Sequence, residues 1–303
     1  MEERPARVRR DYRRSGGRRV AALVGILLGF GLLAAIAWAF TGSNERAVAP
    51  ETSTAVTETA PPQPVLRIVF PEGFTRKEMA ARVGEVNRIA ERRRNIEPAL
   101  RPREYSESAE RVRDLPEDFR RVDAPHLEGF LFPATYQFNP DTTSRQLVAQ
   151  QLEAFGRAWE RVDMEYARSK NLSPYDVVVI ASMVEKEVQV PRERALVSAV
   201  IYNRLRAGMP LGIDATIRYG LDIPPTQAIL QSQLDSDNPY NTRRFAGLPP
   251  TPIGNPGLAS LQAAAHPAEV DFLYFIRKPD CRSHFFTASE QEFLEYPRGG
   301  LQC

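Results

Sequence analysis

The sequence predicts an α+β fold in which a mainly helical part follows a small mixed unit. Strand-like alternation in LRIVF (66–70) precedes the helical spacing of FTRKEMAARVGEV (74–86). Further on, apolar residues recur with a period near 3.6 over 142–170. The runs DFLYFIR (271–277) and SHFFTA (283–288) then predict a β-hairpin. With 43% hydrophobic residues among 303, the chain can bury a sizeable core.

The N-terminal region predicts a single membrane span. Residues 20–40 contain 21 consecutive positions without a charge, enough at about 1.5 Å per residue to cross a hydrocarbon core of about 30 Å. Residues 1–19 contain eight Arg against three acids, so the positive-inside rule keeps this tail in the cytoplasm. A cleaved signal sequence is the alternative, although its apolar region usually has only about 7–15 residues.

The remainder of the chain is slightly acidic, since residues 41–303 contain 32 Lys/Arg and 35 Asp/Glu. This balance argues against nucleic-acid binding, which requires a basic surface. Residues 41–65 are rich in Thr, Ala and Pro and predict a flexible stalk. Cys281 and Cys303 either form a disulfide or remain thiols. With two Cys and three scattered His, we expect no metal site and no cofactor.

The folded part divides into two predicted units, 66–140 and 141–303. In the first, a segment rich in Pro and charges (94–125) precedes LEGFLFPATYQF (127–138), which predicts a second strand pair interrupted by Pro133.

Four helices are predicted in the second unit. The helix starting at Ser173 has that residue as its N-cap, followed by Pro174 at the first helical position. The predicted helices are 142–170, 173–190, 191–207 with Gly208 as the C-terminal cap, and 258–265.

The helix 173–190 carries two acids, Glu185 and Glu187, close to its C-terminal end. It is apolar nearly all the way round, which indicates burial on most sides. Burial and the negative end of a helix dipole both raise the pKa of a carboxyl group. A carboxylic acid that keeps its proton near neutral pH can act as a general acid. The alternative is a solvated Glu-Lys-Glu surface at a helix end.

The loop 239–257 is dense in Pro, Gly and Asn, and a long loop without regular structure in a compact domain is usually functional. Its Tyr240, Asn241, Thr242 and Asn255 offer neutral hydrogen-bonding groups and an aromatic face, which suit a sugar ligand. The alternative is a rigid surface loop whose Asn and Thr side chains close turns.

Several sequence blocks together resemble the YceG-like family of endolytic murein transglycosylases. The resemblance covers about 66–295, and the arrangement of Arg-rich tail, span and outer part also matches. The blocks are LEGFLFPATYQF (127–138), ASMVEKEV (181–188), VSAVIYNRLRAGMPL (197–211), YNTRRFAGLPPTPIGNPG (240–257) and LQAAAHPA (261–268).

This resemblance implies cleavage of peptidoglycan glycan strands between N-acetylmuramic acid and N-acetylglucosamine, without water, leaving a 1,6-anhydro end. The first Glu of VEKE, Glu185, is implied as the acid, with Glu187 as a neighbouring partner or a structural residue. The implied substrate-binding residues are Asn203, Asp214, Thr216, Tyr240, Asn241 and Thr242.

The chain departs from the family pattern at two positions. Ala215 stands where the family typically has Pro between Asp214 and Thr216. In SHFFTASEQEFLE, His284 matches but Phe293 replaces a second His, which weakens the case for this segment in the site. We expect His266 to be a buried, hydrogen-bonded histidine rather than a groove residue.

The family also implies a LysM-like glycan-binding unit at 66–140 and a lysozyme-like catalytic domain at 141–303. It implies a single-pass protein of the bacterial inner membrane with its catalytic part outside, cutting new strands and limiting their length beside membrane-bound peptidoglycan synthases. The rival hypotheses are a muramidase that cleaves the same bond with water and a noncatalytic wall-binding scaffold.

Overall fold

The computed structural model describes residues 63–121 and 124–296, which belong to one compact unit. None of the helices within these ranges is long and apolar enough to cross a membrane. Four predicted features lie outside the described residues: the tail 1–19, the span 20–40, most of the stalk 41–65, and Cys303.

A two-stranded antiparallel sheet opens the described chain. Strand β1, Leu66–Val69, pairs with β2, Thr135–Phe138, so that Leu66 lies opposite Phe138. Side chains alternate along β1, with Leu66 and Ile68 buried and the residues between them exposed. This is the pattern expected of a strand with one face on the core.

Helix α1, Arg76–Arg94, follows β1 after a short turn. Thr75 caps it, because its side chain accepts from the backbone N–H of Glu78 while the Glu78 carboxylate accepts from the Thr75 N–H. Asn95, in the left-handed conformation, ends the helix.

The remaining elements are mainly short helices and one hairpin. In chain order they are α2 (Pro102–Ser108), α3 (Ser144–Trp159), α4 (Glu165–Ser169), α5 (Pro174–Glu187), α6 (Arg194–Arg206), α7 (Asp214–Gly220), α8 (Gln231–Leu234), α9 (Leu258–Ala265), β3 (Tyr274–Arg277), β4 (His284–Thr287) and α10 (Glu290–Glu295), with 3-10 turns at Val112–Asp114, Glu117–Phe119 and Pro191–Glu193.

Helix α5 lies in the middle of the core, as its apolar sequence predicted. Its residues from Val177 to Val184 are all buried, and it packs against α6 and α9. Ser173 caps its N-terminus, with Asp176 completing the capping box, and Pro174 takes the first helical position. The mixed, mostly helical fold class is confirmed, and so is the C-terminal hairpin of β3 and β4.

Two local predictions are wrong. The predicted strand pair 127–138 forms only β2, because the N–H groups of Gly129 and Leu131 donate to the side chain of Asn255 instead of to a strand. The predicted helix 142–170 is interrupted between α3 and α4. There the Asp163 carboxylate accepts from the Glu165 N–H and starts a new helix.

Candidate active site

Glu185 lies in the last turn of the buried helix α5. Its side chain is 7% exposed, and its Oε1 lies 3.7 Å from Nη2 of Arg194. Its Oε2 accepts a hydrogen bond of 3.0 Å from the backbone N–H of Gly257. Gly257 is the N-cap of α9, so this donor belongs to a helix N-terminus, which favours negative charge.

The turn between β1 and α1 packs against Glu185. Gly73, with φ of +78°, brings its backbone against Glu185, because a Cβ placed on Gly73 would lie 3.5 Å from the Glu185 Cγ. The Gly73 N–H donates to the Asn255 carbonyl at 2.8 Å, and the Asn255 N–H donates to the Phe74 carbonyl at 2.9 Å. These two bonds join the turn to the loop that ends at Gly257.

Glu72 and Arg194 complete the charged surroundings of Glu185. The Nη2 atom of Arg194 lies 4.0 Å from Oε2 of Glu72, and the Glu72 side chain is 52% exposed. Burial, followed by the nearby charge of Glu185, raises the pKa of Glu72, and Arg194 opposes this rise. The sequence did not predict either residue, because Glu72 lies far from Glu185 along the chain and no spacing pattern links Arg194 to it.

Glu187 has different surroundings, although it is only two residues from Glu185. Burial raises its pKa to about 7, with Asp214 adding to the rise. Arg277, the backbone N–H of Ala215 and Arg243 act in the opposite direction. The expectation that a carboxyl group at this helix end has a raised pKa is therefore confirmed for Glu187.

Two of the predicted substrate-binding residues, Thr216 and Thr242, are buried against each other. Their hydroxyl oxygens are 2.9 Å apart, and the Thr242 hydroxyl also accepts from the Ile213 N–H at 3.0 Å. Asp214 lies at the start of the same helix, α7, where it is half-exposed and accepts from Nε of Arg243 at 2.7 Å. Asp214, Thr216 and Thr242 therefore lie close together around the start of α7.

The other three predicted binding residues make different contacts. The Asn241 amide donates to the carbonyls of Leu234 and Ser236 and is fully buried. The Asn203 amide donates to two carbonyls in the segment 270–272, away from the threonine pair. The hydroxyl of Tyr240, which is partly exposed, lies 2.7 Å from that of Thr251.

Glu128 is a buried carboxylate that was not predicted from the sequence as a functional residue. Its side chain is 2% exposed, and its oxygens accept from the Arg76 N–H, the Asn255 amide and the Tyr219 hydroxyl. Burial raises its pKa to about 7, and the Arg76 charge opposes the rise most strongly. The sequence feature that could have indicated this buried carboxylate is the single acid inside the apolar run LEGFLF.

The two histidines considered in the sequence analysis, His284 and His266, contact Glu193 and Tyr166 respectively. His284 is buried, and its Nδ1 lies 2.8 Å from a carboxylate oxygen of Glu193, which joins β4 to the start of α6. His266 is exposed, with its ring edge against Tyr166, so the expectation that it is buried is wrong.

No group of three or more His, Cys, Asp or Glu side chains in the described parts of the chain is arranged to hold a metal ion. A cavity of about 610 Å³ lies between α3 and the segment 108–119, with Phe119, Leu152 and Trp159 in its wall. None of the predicted site residues lines this cavity. The candidate site is the surroundings of Glu185, which Gly257, Arg194 and the turn at Gly73 form.

Comparison with known proteins identifies the class to which this fold and site belong. The sequence model of the YceG-like family matches residues 45–298. The chain therefore belongs to the YceG-like family, as its motifs indicated.

Curated relatives share part of their length with this chain. A protein of Bacillus subtilis (strain 168) named endolytic murein transglycosylase is 38% identical over 153 residues, which cover 50% of this chain and 42% of the relative. A protein of the same name from Streptococcus pneumoniae (strain ATCC BAA-255 / R6) is 31% identical over 232 residues, covering 71% of this chain and 41% of the relative. The chain thus spans less than half the length of these relatives.

A solved structure supports the fold. The crystal structure of a YceG-like protein from Listeria monocytogenes matches with a TM-score of 0.63 and 26% sequence identity. The match covers 75% of this chain and 74% of the other.

Proposed function

We propose that this protein is an endolytic lytic transglycosylase that cleaves the bond between N-acetylmuramic acid and N-acetylglucosamine in peptidoglycan. The observation that carries the proposal is Glu185, a nearly buried carboxyl group in the last turn of a core helix, set beside Arg194 and the N-terminus of α9. Family membership and the name shared by the curated relatives support the same activity.

One carboxyl group suffices for this reaction if it acts twice. Glu185 first protonates the glycosidic oxygen as the bond to C1 of the muramic acid breaks. The resulting carboxylate then removes the proton from the C6 hydroxyl, whose oxygen bonds to C1 and closes the 1,6-anhydro ring. No water is consumed, because the substrate supplies its own nucleophile, whereas a typical glycosidase uses a second carboxyl group.

The contacts of Glu185 suit both roles. The Gly257 N–H at 3.0 Å fixes one oxygen and leaves the other available to the substrate. The Gly257 donor and the Arg194 charge stabilise the carboxylate form, which is the form required in the second step. Asp214 and Tyr240, both partly exposed, are the predicted binding residues best able to meet a sugar directly. Asn203, Thr216, Asn241 and Thr242 then shape the walls behind them.

The proposal includes the location of the protein and the role of each segment. Residues 20–40 would anchor it in the bacterial inner membrane, with the catalytic part 141–303 outside and a LysM-like unit, 66–140, holding the same glycan strand. The length of the uncharged run and the Arg-rich tail support this arrangement. Cleavage near the membrane would limit the length of strands made by peptidoglycan synthases.

The test is mass spectrometry of the products formed by the full chain, in detergent, from uncrosslinked glycan strands. Wild-type protein should produce 1,6-anhydro ends, and Glu185→Gln should reduce the rate at least about 10²-fold, since general acid–base catalysis contributes about 10²–10⁴-fold. Glu187→Gln is the matched control and should retain the activity.

Each rival hypothesis has its own outcome. Reducing muramic acid ends would identify a hydrolytic muramidase, with Glu187 or Asp214 as its second acid. A reversed result, in which Glu187→Gln is inactive and Glu185→Gln is active, would move the acid role to Glu187. Binding of strands without turnover by the wild-type protein would identify a noncatalytic scaffold.

A further inference from the structure

We propose that Glu72 and Arg194 are positioning residues that form a charge cluster with Glu185 and set how tightly Glu185 holds its proton. The proposal rests on the proposed function, because it gives that cluster a role in the acid step. Glu72 belongs to the turn before α1, Arg194 begins α6, and Glu185 lies in the last turn of α5. Three distant parts of the chain thus meet at one place.

The geometry of the cluster is that of two carboxylates sharing one cation. The same nitrogen of Arg194, Nη2, lies 3.7 Å from Glu185 and 4.0 Å from Glu72. Arg194 is held in place, since its side chain is only 16% exposed and its Nε donates to the Ser260 hydroxyl at 3.1 Å. The guanidinium therefore balances both acids instead of pairing with one.

Glu72 is also held against the hydrogen-bond donor that Glu185 uses. A Cβ placed on Gly257 would lie 1.9 Å from Oε1 of Glu72, so the carboxylate occupies the space beside that glycine. The backbone bonds between Gly73 and Asn255 and between Asn255 and Phe74 keep this turn in register with the loop before α9. The position of Glu72 is thus a consequence of how two segments pair.

The charge cluster offsets two opposing requirements on the proton of Glu185. A general acid must hold a proton before it reacts, whereas a nearby guanidinium favours the ionised carboxylate. A second carboxylate on the same guanidinium reduces that effect, because its negative charge opposes ionisation of the first. The pKa of Glu72, raised by burial and then by Glu185, reflects the same mutual opposition.

Few other charges face Glu185. Neighbouring Lys186 directs its ammonium group to Glu78, 3.9 Å away, while its aliphatic part packs near Gly73 and Gly254. Glu187 is faced by Arg277, Asp214 and Arg243. The loop 250–257 and helix α9 contain no ionisable side chain. Within the described residues, Arg194 is therefore the cation paired with Glu185, and Glu72 is the carboxylate that shares it.

The test is the pH dependence of kcat/KM for anhydro-end formation by the full chain in detergent at low salt. The alkaline limb of this profile reports loss of the proton from the essential acid of the free enzyme. Glu72→Gln should move this limb to lower pH by about half a unit or more, and Arg194→Gln should move it to higher pH by a similar amount. High salt should shrink the Glu72 shift more than the Arg194 shift, because Glu72 is 52% exposed and Arg194 is only 16% exposed.

Glu85→Gln is the matched control, since Glu85 is about as exposed as Glu72 but pairs with Arg82 within α1. Its profile should coincide with that of the wild type. A merely structural role for Glu72 or Arg194 would lower the rate at every pH without moving the limb. Unmoved limbs, or limbs that move in the same direction for both variants, would overturn the proposal.

A second readout separates this proposal from the proposed function. In protein labelled with carboxyl-¹³C glutamate, the Glu185 resonance is assigned as the one missing from Glu185→Gln, and its titration midpoint is followed by NMR. Opposite shifts of that midpoint in Glu72→Gln and Arg194→Gln support the charge cluster, whether or not anhydro ends form. If the midpoint shifts but no anhydro ends form, the proposed function alone fails. Anhydro ends with an unmoved midpoint reject the cluster alone.

Discussion

Glu128 and Glu185 are both carboxylates inside a largely apolar part of the protein, but their hydrogen bonds differ. The oxygens of Glu128 accept from a backbone N–H, an amide and a phenol hydroxyl. Glu185 accepts one hydrogen bond, from Gly257, among the contacts of the described residues. Since a carboxylate has about four acceptor sites, Glu128 is largely satisfied and Glu185 retains sites for a substrate. The first anchors the fold, and the second is available for chemistry.

Through Asn255, Glu128 also helps to hold the segment that contacts Glu185. The side-chain nitrogen of Asn255 donates to Glu128, and its side-chain oxygen, Oδ1, accepts from the backbone N–H groups of Gly129 and Leu131. Because the backbone of Asn255 also pairs with the turn at Gly73, Glu128 helps to position the loop that carries Gly257. Glu128 thus helps to position the backbone donor of Glu185.

The largest expected effect that distinguishes them is on stability. Glu128→Ala removes a buried acceptor shared by the Arg76 N–H, the Asn255 amide and the Tyr219 hydroxyl, and should lower the free energy of unfolding by about 3–5 kcal/mol. Glu185→Ala should cost about 1 kcal/mol or less, because it removes one hydrogen bond and one ion pair of 3.7 Å, and Arg194 keeps Glu72 as a partner. Urea denaturation of the full chain in detergent at pH 6 measures both. Equal losses would contradict the distinction between anchor and reactive group.

A pH series isolates the titration of Glu128. Its pKa is raised to about 7 from an ordinary value of 4.5, so the folded protein retains this proton where the unfolded chain has lost it. Wild-type stability should therefore fall as the pH rises from about 4.5 to about 7, and Glu128→Gln should lack this part of the fall. The stability difference between variant and wild type should change by about 2–3 kcal/mol across that window, in favour of the variant.

The control for this series is Glu85→Gln, at an exposed acid that pairs with Arg82. Its stability should follow that of the wild type at every pH. Parallel curves for wild type and Glu128→Gln would show that Glu128 does not carry the raised pKa.

The smallest expected effect concerns Glu187. Burial raises its pKa to about 7, so Glu187→Gln removes a carboxylate whose charged form is disfavoured. Stability at pH 8 should rise by about 1 kcal/mol, because Glu187 is only partly shielded and has Arg277 nearby. Denaturation at pH 5 and pH 8 measures this, and the gain should vanish at pH 5. A destabilised variant at pH 8 would indicate that its contacts with α7 outweigh the cost of its burial.

Much of the fold was predictable because it follows local rules. The capping residue Ser173, the apolar run of α5 and the alternation in β1 act over a few residues and do not depend on distant partners. The prediction failed at 127–138, where the N–H groups of Gly129 and Leu131 bond to Asn255, more than 120 residues away. Long-range hydrogen bonds of this kind leave no periodic pattern in the sequence.

At the candidate site, the apolar residues at helical spacing around Glu185 are enough to predict an acid near the end of a buried helix. Which groups that acid meets depends on contacts between distant parts of the folded chain. Residues two apart on a helix point about 200° away from each other, so Glu185 faces Gly257 and Arg194 while Glu187 faces α7 and Arg277. Glu72 reaches Glu185 because the turn before α1 pairs with the loop before α9, and such pairing is a property of the folded chain.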